Sequence, residues 1–595
     1  MKLIKLLLCS LLLAPSAYAE LNLEPLPDDG WNELTAAHLL SRAGFGGTPE
    51  QVRALASLSM TNAVDLMVYG GKRRTQQEDF AHSGVFKPGL DPFPPSRPAT
   101  TELAKQQGEA LGIKVKPGGN RPLQPVVNEF FYWLRASRLE TDRVAYWWAN
   151  RMLLSEHPLQ EKMALFWHGH FATNEDKVRD YRKMLQQLKL FQSQGLGNFR
   201  DLLVAVAQNP AMLVFLDAGV NTKDSPNENF AREIMELFSM GVGHYSEKDV
   251  QEAARAFTGW NVQGLEFVVN VADHDTENNV FLGEVGPFDG VAIIDRIMQQ
   301  NITHEYIAAK LYRYFVNEDL DPANIPQLGQ VFAEVEFDVA AYLQRLFSST
   351  EFYAVQNVGN RIKGPVELMV STYHRLGLTQ VPGVPDFNLA SGALGQRLMH
   401  PPTVAGWSEG RSWITPSLLF ERGNFVLEVM FPDIGFIPTD RFPGYTAEIV
   451  NVQNRLRQGM NVSQATKPTG LDTDGQMSAS NMLADADEAF NTRLGSMRGW
   501  QMALEKVIPI PRQPAQFSLT ADVLKQELSS PREVIDHWAT KFFVVELEEQ
   551  DKSDLAQMLA EELGTDDLLE AQSYMEEPLR KVLHIMLSLP EYQLG

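Results

Sequence analysis

The stretch from Pro226 to Trp260, PNENFAREIMELFSMGVGHYSEKDVQEAARAFTGW, constrains the fold more than any other part of the chain. Phe230, Ile234, Leu237 and Phe238 recur at i, i+4, i+7 and i+8 and make one apolar helical stripe. Gly241 and Gly243 stop that helix, because glycine adopts the left-handed C-terminal conformation without a Cβ penalty. Ser246, with Asp249 three residues on, is a capping-box pattern that opens a second helix striped by Val250, Ala253, Ala254 and Phe257. A short glycine turn folds the two helices back on one another, so both stripes must face a common core. Off the stripe, Glu228, Arg232 and Glu236 stand four apart, with Glu233 beside them and Arg255 on the second helix. The spacing predicts Arg232 held between Glu228 and Glu236, and Arg255 close to Glu233 or Glu236. Two readings stay open: a solvated charged face, or a partly buried catalytic site made of Glu228, Arg232, Glu233, Glu236 and Arg255.

Helical periodicity dominates the rest. Thr35 to Ala43 reads as a helix closed by Gly44, and Thr48-Pro49-Glu50-Gln51 opens another with a cap, a first-turn proline and a capping glutamine. From Val126 onward large aromatics crowd the pattern, among them Phe130, Trp133, Trp147 and Trp148. Further helices are expected at Asp180–Phe191, Phe199–Ala207, Ile293–Met298, Glu305–Phe315, Val339–Phe347 and Pro365–Leu376. The run Leu265 to Val271 (LEFVVNV) is β-rich and is expected to pair with Asn279 to Leu282. The predicted class is mainly α: a large multi-helix domain over 20–430, a small β-hairpin element and helical C-terminal additions over 516–595. A surface excursion at about 72–122 and a polar insertion or linker over 431–515 interrupt it. At 595 residues the chain has room for two or more cores.

Met1 to Ala19 reads as a secretory leader: Lys2 and Lys5, the apolar run Leu6 to Leu13, then Ala17-Tyr18-Ala19 before a mature start at Glu20. The run is shorter than the roughly 20 residues that span a bilayer, so no transmembrane anchor is expected after cleavage. The expected compartment is periplasmic or secreted. Cys9, the single cysteine, lies within the leader, which leaves a mature chain without disulfides or thiolate ligands. Losing two lysines takes the formal charge from −23 to −25 and argues against binding a nucleic acid backbone.

Any metal must therefore be held by His, Asp or Glu. His168 and His170 are the most metal-like pair, since alternate residues of an extended segment share a face. On a helix the two would diverge by about 200°. His274 and Asp275 are the next candidates, with His244, His304, Glu233 and Glu236 behind them, and a divalent metal is the cofactor such a set would take. The competing reading satisfies these imidazoles with backbone or carboxylate partners. In the loop from His400 to Trp413, prolines fix the backbone while Trp407 and Trp413 offer flat faces suited to sugar rings or planar ligands. His400, Trp407, Trp413 and Arg422 on the following helix are the candidate ligand-binding residues, against the reading that the tryptophans only plug the loop onto the helices.

These pieces occur in an order that resembles a bacterial secreted family catalogued as domain of unknown function 1800. The resemblance rests on the Pro226–Trp260 stretch with HLLSRAGFGGTPEQV, FWHGHFAT, the His274-Asp275 pair before Leu282-Gly283, KGPVE, and HPPTVAGWSEGRSWI, over roughly residues 31–430. The family pattern carries a lysine between that pair and the Leu-Gly, where this chain has Asn279. The resemblance implies no mechanism. It implies as a partner a secreted protein resembling phosphatases and sulfatases, whose genes commonly neighbour the family. Two functions are carried forward: a metal-assisted or hydrolase-like enzyme acting on an envelope or extracellular polymer, and a non-catalytic binding or assembly protein.

Overall fold

The computed structural model describes residues 20–70, 78–88, 108–109, 112–113, 121–432, 490 and 492–595. The leader, most of the excursion at 72–122 and residues 433–489 of the polar stretch lie outside the described residues.

Eleven helices position the site and are numbered here in chain order. They are α1 (Glu33–Arg42), α2 (Gln124–Leu154), α3 (Pro158–His170), α4 (Tyr181–Gln194), α5 (Glu228–Met235) and α6 (Glu247–Ala256), followed by α7 (Asn301–Phe315), α8 (Pro365–Arg375), α9 (Pro416–Met430), α10 (Thr492–Lys506) and α11 (Glu576–Met586). Their starts follow local chemistry. Asn32 and Thr35 form a capping box on α1, and Ser246 and Asp249 form the expected one on α6. Prolines sit in the first turns of α2, α3, α8 and α9, where a missing N–H costs nothing.

The 31-residue α2 is the spine. Tyr132, Trp133, Ala136, Val144 and Trp148 bury along it, and α4, α8 and α10 pack against it. One apolar cluster runs without a break from Leu21 to Tyr592, with two small satellites near Leu123 and Phe130. Among the described residues the helical C-terminal stretch packs into the same main cluster. α11 packs on α9, and Ile362 forms an antiparallel bridge with Leu594.

The β element differs from expectation. Strand β1 (Trp260–Gln263) pairs with β2 (Glu266–Val269), while β3 (Asn279–Phe281) pairs with β4 (Glu284–Gly286). LEFVVNV and Asn279–Leu282 thus join separate hairpins. The reason is local: two-residue turns at Gly264-Leu265 and Leu282-Gly283 close each hairpin, and Leu282 and Gly283 both take the positive φ that such a turn requires. Among the described residues no helix is long and apolar enough to cross a membrane.

Candidate functional site

Behind the junction of α1, α3, α7 and α8 lies an interior crowded with cations. Arg42 at the end of α1 donates to the carbonyls of Phe315 (2.8 Å), Val316 (2.5 Å) and Gly595 (3.0 Å). Lys162 of α3 donates to the Gly44 carbonyl at 2.9 Å and pairs with Glu367 of α8 at 2.9 Å. Lys363 donates to the Tyr592 carbonyl at 2.8 Å. Arg422 of α9 reaches the carbonyls of Trp413 (3.2 Å) and Lys363 (2.7 Å) and the Gln593 side chain (3.0 Å). All four cations are buried, as are Arg361 and Arg375, and Glu367 is the buried carboxylate among them. Burial pushes Glu367 up, but Lys162 and Arg361 outweigh it and hold the carboxyl at about 2. Lys162 goes the other way, to about 8: burial lowers it, Glu367 opposes, and Arg361 and Arg42 add to the lowering. The two directions agree physically, because the anion sees several cations while the lysine sees one anion and several like charges.

This interior forms the floor of a cleft of about 320 Å³. α3 contributes Leu165, Phe166, Gly169 and His170, and α7 contributes Lys310, Arg313 and Tyr314. Arg361 and Gln396 lie between them, and the 405–413 loop supplies Trp407, Ser408, Glu409 and Trp413. Arg361 is 6% exposed, its guanidinium lies 4.3 Å above the Tyr314 ring, and its Nη1 has no hydrogen-bond acceptor. The nearest carboxylate oxygen, of Glu367, is 3.9 Å from it. Trp407 and Trp413 are 9% and 4% exposed, and both indole N–H groups lack acceptors.

His170 is held from behind. Its Nε2 lies 3.1 Å from the Phe238 carbonyl, which can only accept, so that nitrogen carries the proton. Nδ1 is then the acceptor for Lys310 Nζ at 3.1 Å. Burial and the neighbouring Lys310 keep His170 well below its ordinary pKa, and burial takes Lys310 down to about 8 against the attraction of Glu409. Phe238 belongs to a wide π-helical turn, Glu236–Met240, that continues α5, and the Leu237 carbonyl of the same turn accepts from Tyr306 of α7 at 3.0 Å.

The predicted catalytic cluster is elsewhere. Arg232 pairs with Glu228 at 3.0 Å and with Glu247 at 2.6 Å, not with Glu236. The π turn begins at Glu236 and takes it out of the i+4 position, and the Tyr245 hydroxyl donates to it at 3.1 Å. Glu233, beside Glu236, is raised by burial and by that neighbour. Arg255 pairs with Glu252 and with Asp275, both at 2.8 Å, not with Glu233 or Glu236. His274 meets the Thr258 carbonyl at 2.7 Å, so the His274-Asp275 pair fastens its loop to α6.

The structure does not bring the metal candidates together. α3 continues through His170, so His168 and His170 point apart as helical i, i+2 residues do. His168 Nε2 accepts from the Met399 amide at 3.1 Å, and its ring meets Trp407 edge-on at 5.1 Å. Among the described residues no three His, Cys, Asp or Glu side chains group as a metal site, and these four do not fit a divalent ion. Of the ligand-binding candidates, Trp407 and Trp413 line the cleft and Arg422 braces Trp413 from behind. His400 turns away, with Nδ1 3.6 Å from Asp176, whose wall borders a larger cavity of about 570 Å³ between Phe130, Leu213 and Val262. Lys177 and Asp217 in that cavity pair with each other at 2.8 Å, so its charges are largely spent internally.

Sequence reasoning missed Lys310, Arg313, Arg361, Glu367 and Lys162. Lys310, Arg313 and Tyr314 share a helical face at i, i+3 and i+4, a visible signal. The others needed the tertiary fold. Most of the motifs quoted for the resemblance nevertheless meet here: the end of α1, FWHGHFAT, KGPVE and the 400–414 loop form the floor and walls, while the Pro226–Trp260 stretch supports His170.

A family profile described as Protein of unknown function (DUF1800) matches residues 38–594. No curated protein and no solved structure matches the chain. The matched span reaches well past residue 430 and takes in the C-terminal residues that close the cleft floor, so the chain belongs, over nearly its whole length, to the DUF1800 family of proteins of unknown function.

Proposed function

We propose that this is an exported protein that binds an envelope or extracellular polymer in the cleft between α3, α7 and the 400–414 loop. The observation that carries the reading is the pair of tryptophans, Trp407 and Trp413, that line the cleft and whose buried indole N–H groups have no acceptor. Flat aromatic faces with unused donors suit a sugar ring, which offers an apolar face and a rim of oxygens. Binding is favoured over bond cleavage by the lining: Glu409 is its one carboxylate among the described residues, whereas glycosidic hydrolysis usually works through a flanking pair.

The test is retention of the mature protein on a panel of neutral and acidic polysaccharides, with Trp413→Ala alongside. Retention of the wild type, lost in a variant that keeps its helical circular dichroism, is the expected result. No retention on any polymer would overturn the reading.

A further inference from the structure

We infer that the cleft is selective for acidic polysaccharide, taking a sugar ring that bears a carboxylate or sulfate group. The inference rests on the polymer-binding reading above and adds the charge of the ligand. It starts from an imbalance of donors and acceptors. Arg361 presents Nη1 with no hydrogen-bond acceptor, although the residue is buried. Lys310 gives one N–H to His170, lies 4.9 Å above the Tyr306 ring and has no ion-pair partner among the described residues, so its ammonium has donor capacity for a ligand. Arg313, one turn further along the same face of α7, likewise has no ion-pair partner among the described residues. The buried indole N–H groups of the lining residues Trp407 and Trp413 likewise have no acceptor.

Against these stand Glu409, which is exposed at the rim, and Glu318 beside Gly410, and the charge of both reaches Arg361. The floor adds to the imbalance, since Lys162, Arg42 and Lys363 lie behind Arg361 with Glu367 as their buried carboxylate. In a chain of net charge −23 such a concentration of positive charge is a local exception, and low-dielectric walls focus its field into the cleft.

A buried guanidinium nitrogen without an acceptor is improved by an oxyanion, because a charge-assisted contact replaces an unmet donor. A neutral hydroxyl satisfies it less well. A cationic ligand meets like charge. A polyphosphate backbone carries no sugar ring to set against the tryptophans. An acidic sugar uses both halves of the site, its ring against the tryptophans and its anion on Arg361, Lys310 and Arg313.

Isothermal titration of the mature protein tests this with four probes. They are polygalacturonate, its fully methyl-esterified form (the same backbone without charge), dextran sulfate, and poly-glutamate. Polygalacturonate and dextran sulfate are expected to bind, with the methyl ester weaker by about tenfold or more, the loss of one charge-assisted contact. Arg313→Ala, a half-exposed change that leaves the buried network intact, is expected to weaken both acidic polymers about tenfold and leave the ester unaffected. Equal binding of the ester, or no effect of Arg313→Ala, would overturn acid selectivity while polymer binding stands. Equal binding of poly-glutamate would overturn the requirement for a sugar ring. Binding of none of the polysaccharides would overturn both readings.

Discussion

Replacing Glu367 with glutamine removes the anion on which the buried cations depend. The carboxylate meets Lys162 at 2.9 Å and faces Arg361 at 3.9 Å, and both cations are buried. The folded carboxyl sits at about 2 against an ordinary 4.5, which corresponds to about 3 kcal/mol at roughly 1.36 kcal/mol per pH unit. Because the folded value is depressed, this stabilisation is fully present above 4.5 and drains away as pH falls towards 2. Glu367→Gln also leaves Lys162 and Arg361 buried without their counter-charge, so the expected loss at pH 7 is about 3–5 kcal/mol. Urea denaturation, followed by tryptophan fluorescence, reads it directly. The deficit should shrink as the series is taken from pH 5 towards pH 2, because the wild type then loses what the variant never had. A deficit below about 1 kcal/mol at pH 7 is the size of an exposed ion pair, and it would refute the reasoning. So would a deficit that stays constant down the acid limb.

Arg232→Ala is expected to change stability by less than about 1 kcal/mol in the same assay, since Arg232 is 32% exposed and its partners Glu228 and Glu247 are 37% and 71% exposed. Gly406→Ala is expected to cost about 1–3 kcal/mol. Gly406 has φ +91°, and an added Cβ would lie 2.2 Å from the Gly169 carbonyl oxygen, so the loop must lift from α3. A lower melting temperature with red-shifted Trp407 emission would show it, and an unchanged spectrum would count against the tight seating of that loop.

The helices could be read in the sequence because each needs only its own periodicity and caps. Phe199 to Ala207 was expected as a helix and forms one over those residues, and the capping box at Ser246 and Asp249 is present. The charge partners could not be read. Arg232 has two carboxylates at helical spacing, yet a π turn at Glu236 hands the second place to Glu247, fifteen residues away. The His168 and His170 pair depended on whether α3 stopped before it, and Trp167, His168 and His170 all bury well enough to keep the helix going. Trp407 and Trp413 were legible because two indoles in a proline- and glycine-fixed loop have few places to go. Arg361 gave no local signal, since its importance lies in what surrounds it: the Tyr314 ring, Glu367 and an open cleft.

The sequence separation across the cleft floor bears on how the chain folds. Arg42 and the carbonyl of Gly595 that accepts from it are 553 residues apart. Lys363 waits for Tyr592, and Arg422 for Gln593. During synthesis from the N-terminus these cations exist long before these acceptors, and they must stay hydrated until residues 592–595 arrive. Contacts of such high order are the slowest to form. The spine around α2 can condense first, and the floor of the cleft is assembled last.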